Sequence, residues 1–215
     1  MIDTSVDVRR KYVLSLTHQH GSVTMPNHYI LTERHFTPPE AAVISGVNTA
    51  LQRDWRRRQM LPARESSKHA RFSVSEVVRM TVMKAITDSG FELKGSKTLT
   101  NMTFFLADQF LYNLPGVVVF DCEQPDYEAR AEIMEQLGAA TNETSRYVFF
   151  PMPEGAGRPN EADAYTLLSL DQLAAKFAEG PRFHGMVMDM LAVAKQVVSR
   201  SALPLFTFTL DEEEE

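Results

Sequence analysis

The sequence predicts a mixed α+β fold: an N-terminal winged helix–turn–helix followed by a small C-terminal α/β domain. Three observations carry that expectation. Between Phe36 and Gly90, two short helical patterns meet at Gly46-Val47, and a third opens on a capping pair. Arginines crowd the second of these helices and the segment after it. Beyond Val117, β-branched runs alternate with helical ones.

Composition sets the outer limits. The chain has 215 residues, 44% of them hydrophobic, enough to build a core. No apolar run reaches the ~18–20 residues of a membrane span, so no membrane partner is expected. The stretch from Met1 to Val13 has no apolar centre, which argues against a secretory signal. A single cysteine, Cys122, excludes an internal disulfide framework and fits a reducing cytosol. The net charge of −6 argues against nucleic acid when taken globally, but the charge is uneven. From Thr49 to Arg71 seven Lys/Arg face two acids, whereas from Asp121 to Glu215 seven face eighteen. The two parts therefore suit different partners, or the acidic part simply stays away from nucleic acid as a solvated face.

Residues 1–35 read as an N-terminal arm. Val6 to Leu16 is compatible with a short helix or strand, and His20 to His28 reads as loop. His18, with His20 two residues on, has spacing that a metal can use, but no recognisable ligand set accompanies the pair. Loop histidines are the simpler reading, also for His28 and His35.

Phe36 to Gly46 is expected to form the first helix. Thr37 is a plausible N-cap, Pro38 suits a first turn, and Glu40 completes a capping box. Gly46 ends this helix, Val47 plugs the core, and Asn48 or Thr49 caps the next. In the second helix, Thr49 to Arg58, Leu51 and Trp55 are four apart and point inward. Gln52, Arg53, Arg56 and Arg57 are expected on the other faces, where forked guanidinium and amide groups suit phosphates and base edges. The N-terminus at Thr49 adds N–H donors for a phosphate.

Met60-Leu61-Pro62 ends that helix. Ala63 to Phe72 reads as a hairpin wing carrying Arg64, Lys68, His69 and Arg71 around Ser66-Ser67. Ser73 and Glu76 form a second capping box and open a third helix, Val74 to Ser89, with Gly90 as its C-cap.

These residues in this order resemble the winged helix–turn–helix of MerR-type transcriptional regulators. Gly46-Val47-Asn48, Leu51, Trp55, Met60-Leu61-Pro62, Arg64, Arg71 and Phe72-Ser73 stand at the places of that pattern, over about residues 36–93. Gln59 stands where glycine is usual, and Gln52 where arginine is frequent. The resemblance implies that Gln52, Arg53 and Arg56 lie at a DNA face, with Arg64, Lys68 and Arg71 clamping phosphates from the wing.

Residues 94–103 read as a polar linker, so the long dimerisation coil usual in that family is not expected. Residues 104–210 read as an α/β dimerisation or effector domain. Strands are expected at Val117–Cys122, Arg146–Pro151, Ala164–Leu170 and Leu205–Leu210, with helices at Asp126–Leu137 and Gln172–Ala178. Glu154–Asn160 reads as loop. An apolar stripe from Phe183 to Val198 reads as one long helix; such a stripe is more often core than an interaction surface, and it is also the candidate dimer element. Residues 211–215 form an acidic tail.

Catalytic signals are weak. Cys122 with His184 is a possible nucleophile and base, but a lone cysteine on an apolar strand is more often core. Asp121 with Glu123 could bind a cation, but strand-end carboxylates are commonly solvated. Gly155-Ala156-Gly157 lacks the helix and lysine of a phosphate loop. Binding, not catalysis, is expected, with no cofactor and no metal. The expected function is a cytoplasmic, bacterial DNA-binding transcriptional regulator, a homodimer on an inverted repeat of double-stranded DNA, with an unidentified small-molecule or protein effector. An architectural or excisionase-like DNA-binding protein, or a protein-interaction module using the basic face, are the alternatives.

Overall fold

The computed structural model describes residues 11–16, 27–61, 71–121, 127–151, 165–167, 169–178 and 185–210. In chain order the elements are β1 (Lys11–Leu16), β2 (Asn27–Glu33), α1 (Pro38–Ser45), α2 (Thr49–Arg57), α3 (Val74–Asp88) and α4 (Leu93–Tyr112). The second half contributes β3 (Val118–Phe120), α5 (Tyr127–Gln136), β4 (Tyr147–Pro151), β5 (Tyr165–Leu167), α6 (Leu170–Ala178), β6 (Gly185–Asp189), α7 (Met190–Arg200) and β7 (Phe206–Leu210). The fold is mixed, with a helical helix–turn–helix region near the N-terminus. Among the described residues, no helix is long and apolar enough to cross a membrane.

The described residues of the N-terminal arm are strands that join the C-terminal β7 in one sheet. Of the two readings for Val6 to Leu16, strand holds over Lys11–Leu16, and Asn27 and His28, expected in loop, begin β2. β2 lies between β1 and β7 and is antiparallel to both, with Tyr12 opposite Leu31 and Ile30 opposite Thr209. β3 runs parallel to β7 on its other side, completing a four-stranded sheet in the order β1-β2-β7-β3. Aromatic rings cement it: Phe120 stacks on Phe208 at 5.1 Å, and Tyr29 meets Phe208 edge-on at 6.4 Å. A second, antiparallel sheet has the order β5-β4-β6.

The polar stretch 94–103 is not a linker; it is the first half of the 20-residue helix α4. The buried stripe of α4 is built from Ser96, Leu99, Thr100, Thr103, Leu106, Ala107 and Leu111, at helical spacing. Three of these seven carry hydroxyls, which hides the stripe from a hydropathy reading. Each hydroxyl is satisfied inside its own helix. Ser96 Oγ donates to Glu92 O at 3.0 Å, Thr100 Oγ1 to Ser96 O at 2.6 Å, and Thr103 Oγ1 to Leu99 O at 2.8 Å. Burial then leaves no polar group stranded, and α4 packs against α3 and α7.

The stripe from Phe183 to Val198 is likewise not one helix. Its Met186 and Val187 lie in β6, paired with Phe150 and Phe149 of β4. The switch comes at Asp189, which N-caps α7 by accepting from Ala192 N at 3.2 Å. Asp189 also takes Arg146, at the start of β4, at 2.6 Å. Partial burial works to raise the pKa of Asp189, but the Arg146 hydrogen bond and the helix amides outweigh it and hold the carboxyl below its ordinary range. The apolar face of α7, namely Met190, Val193, Ala194 and Val197, is buried within this chain against α1, α3 and α4. It is not available as the dimer element that its periodicity suggested. The four strands expected in the second half all form, shorter than read, and β6 joins them.

One core runs through both halves. It joins Trp55, Met80 and Ile86 to Phe150, Met190, Val197 and Phe208, all at most 1% exposed. Burying side chains of this size contributes about 1.5–3 kcal/mol each. Arg200, at the end of α7, donates to Ile44 O in the last turn of α1 at 3.3 Å. The helix–turn–helix is thus braced by the C-terminal part of the chain.

Candidate nucleic-acid interface

The helix–turn–helix is set by local hydrogen bonds at each corner. Thr37 N donates to Glu40 Oε2 at 2.7 Å, and Glu40 N donates back to Thr37 Oγ1 at 3.4 Å, forming the expected capping box ahead of Pro38. Partial burial works to raise the Glu40 pKa. The hydroxyl and amide of Thr37, with the charges of Arg34 and Arg71, prevail and hold it below the ordinary range. Gly46 closes α1 at φ 75°, a left-handed conformation that suits glycine. Val47 is fully buried. Asn48, of the two candidate caps, opens α2, its Oδ1 accepting from Leu51 N at 2.8 Å.

Helix α2 ends in a left-handed turn centred on Gln59, at φ 58°. Gln59 N donates to Arg56 O at 2.9 Å, and Met60 N reaches Trp55 O at 2.7 Å. This paired arrangement normally favours glycine at that position, and Gln59 bears the steric cost of its Cβ. Gln59→Gly is therefore expected to raise the unfolding free energy by about 0.5–1 kcal/mol, measurable by urea denaturation. A loss of stability would show that the Gln59 side chain contributes more than its backbone costs.

Trp55 is buried, as its spacing implied, and Leu51 is half-buried beside it. Gln52 departs from expectation. It is only 3% exposed, and its Nε2 donates to Pro38 O and to Val47 O, both at 2.9 Å. Its amide thus ties α2 to the start of α1 and to the turn between them. The spacing carried a signal for this: Gln52 lies three residues before Trp55, on the same side of the helix.

The outer side of α2 presents the arginines. Arg53 is exposed and makes no ion pair among the described residues. The guanidinium of half-buried Arg56 lies 4.3 Å above the Phe72 ring. Phe72 is fixed by a two-way backbone bridge with Phe36, both bonds 2.8 Å long. Between the Pro38-Pro39 start of α1, Phe72, and Thr49, Arg53 and Arg56 of α2 lies a cleft of about 520 Å³. Arg57 is exposed but tied to Asp54 at 2.5 Å, and Arg58 reaches the same carboxylate at 2.9 Å. The Arg57 hydrogen bond holds Asp54 below the ordinary carboxylate range. Four arginines against this one aspartate leave the face positive.

The structure therefore brings Thr49, Gln52, Arg53 and Arg56 to one cleft, sets Arg57 beside them and engages the Gln52 amide with backbone carbonyls. Arg71 is half-buried next to Phe72. Arg64, Lys68 and His69 lie outside the described residues, as does most of the expected wing. Outside them too lie Cys122, His184, Glu123, the Gly155–Gly157 turn and the acidic tail. The walls made by Pro38, Pro39 and Phe72 escaped the sequence reading, because they are supplied by backbone approach rather than charge.

Residues 36–103 match the model of a family described as MerR HTH family regulatory protein. The match covers α1, α2, α3 and the first half of α4, and the rest of the chain lies outside it. No curated protein matches the chain closely enough to be called similar.

Proposed function

We propose that this chain, whose residues 36–103 form the MerR-type helix–turn–helix of a DNA-binding regulator, is a cytoplasmic transcriptional regulator that binds an inverted repeat as a homodimer. The observation that carries this reading is the convergence of Thr49, Arg53 and Arg56 on one outer cleft of an otherwise acidic protein. In this reading α2 enters the major groove and Arg53 reads a base edge or an adjacent phosphate. Arg56 and Arg57 meet phosphates, and the N-terminal amides of α2 donate to another beside Thr49. Arg64, Lys68, His69 and Arg71 add phosphate contacts from the wing. A homodimer doubles the site length and places two such helices about one helical turn apart. It must use a surface other than the apolar stripe of α7, which the chain itself buries.

The test is selection of bound duplexes from a random pool, followed by fluorescence anisotropy. Arg53→Ala is expected to weaken the selected site by about 1–3 kcal/mol and to relax the preference at one base position. If Arg53 meets a phosphate instead, the salt slope falls by about 1 with no change of preference. Absence of duplex binding at low salt would overturn the function. A monomer on DNA by light scattering would overturn the dimer alone.

A further inference from the structure

A second cavity, of about 310 Å³, lies away from the arginine cleft. It sits where the N-terminal sheet, α3, α4 and α5 meet, and is lined by Glu33, Ser75, Asp108, Tyr112, Gln136 and Phe206, among others. Of the lining residues only Ser75 falls within residues 36–103. The site therefore arises from this chain's own combination of parts.

Asp108 distinguishes the cavity. Ser75 Oγ donates to its Oδ2 at 2.6 Å, but its Oδ1 is shut off from solvent without a hydrogen-bond partner. Burial pushes the carboxyl up to about 7; the Ser75 bond opposes this, the charge of Glu33 adds to it, and Arg79 opposes it again. The Arg79 guanidinium lies 4.3 Å over the Phe104 ring and forms no ion pair with Asp108 among the described residues. A buried carboxylate oxygen without a donor, beside a second acid, favours an incoming cation. Leu31, Leu111, Leu137 and Phe206 supply an apolar wall, beside Tyr112 and Gln136. That suits an ammonium on a compact apolar body better than calcium or magnesium, which take six or more oxygen ligands.

We propose that this cavity is an effector site for a small organic amine, whose ammonium pairs with the Asp108 carboxylate while its apolar part lies against Leu111 and Phe206. The inference rests on the regulator reading and supplies it with a site and a ligand class. The route to the DNA face is short. Glu33 Oε1 accepts from Val74 N at 2.8 Å, and Asp108 holds Ser75, so both acids grip the first turn of α3. That turn follows directly on Phe72, over which Arg56 lies. An ammonium competing for Asp108 changes that grip.

The test uses the full chain at pH 7.5 and constant ionic strength, with 2-phenylethylammonium, 2-phenylethanol and phenylacetate as probes of one shape and three charges. The cation alone is expected to raise Tm with concentration. Asp108→Asn is expected to weaken its binding about tenfold or more in calorimetry, and Leu137→Trp, which fills the cavity, to abolish it. An equal rise with the alcohol overturns the charge requirement. No rise with the cation, or an undiminished response in Asp108→Asn, overturns the site. Anisotropy on a duplex in the same samples separates the two proposals. Duplex binding without any amine response defeats only the effector site, whereas absence of duplex binding in unliganded protein defeats the regulator reading.

Discussion

Gln52→Leu is expected to lower the unfolding free energy by about 2–3 kcal/mol, because it strands two carbonyls that one amide now satisfies. Those carbonyls, Pro38 O and Val47 O, belong to the start of α1 and to the turn, so the loss falls on the relative placement of α1 and α2. Leucine has nearly the volume of glutamine, and packing alone would favour it in a buried position. The amide hydrogens, not the bulk, are what the position requires. Gln52→Glu should be worse still above the carboxyl pKa, since it buries a charge against two acceptors. Trp55 is the only tryptophan in the chain and is buried in the same helix, so its fluorescence in a urea titration reports this unit directly. The opposing result is unchanged stability with an altered base preference, which would return Gln52 to the DNA face.

Asp108→Asn is expected to stabilise the protein, and to do so in a pH-dependent way. The folded state holds this carboxyl at about 7, against an ordinary value of 3.8. Between those values the folded protein binds a proton that the unfolded chain does not. Stability therefore falls as pH rises through that window and levels off above it. Three pH units correspond to about 4 kcal/mol at most. With the residue still partly open to solvent, the effect is expected on the order of 3 kcal/mol at pH 8. Asparagine keeps an acceptor for Ser75 and carries no such penalty. Denaturation curves of the two proteins should separate at pH 8 and converge near pH 4. Coincident curves at pH 8 would mean that the carboxylate is already paired or hydrated, and would weaken the case for the amine site as well.

Legibility in the sequence followed the range of the interactions involved. Both capping boxes, the Gly46 turn, the inward Trp55 and the exposed Arg53 depend on neighbours within four residues, and each was readable from spacing. The reading failed where burial and polarity diverge. Gln52 is polar and buried, because its partners are backbone carbonyls that no side-chain pattern reveals. Ser96, Thr100 and Thr103 are polar and buried, because their hydroxyls bond back to the preceding turn. Conversely, Met186 and Val187 continue a helical period but lie in a strand, because β4 was there to pair with them and Asp189 was there to start the helix later.

The sequence alone determined that a helix–turn–helix with an arginine-bearing second helix lies between Phe36 and Gly90, since caps, turns and helical faces are short-range properties. The charge contrast between that stretch and the rest is likewise a property of the sequence alone. Only the tertiary structure decided that the N-terminal strands join β7, that α7 is core and not a dimer seam, and that Gln52 is a clamp. It alone brought Glu33, Ser75 and Asp108 into one cavity. Those facts depend on residues tens to hundreds of positions apart, whose meeting is set by strand register and shared burial and leaves no local periodicity to read.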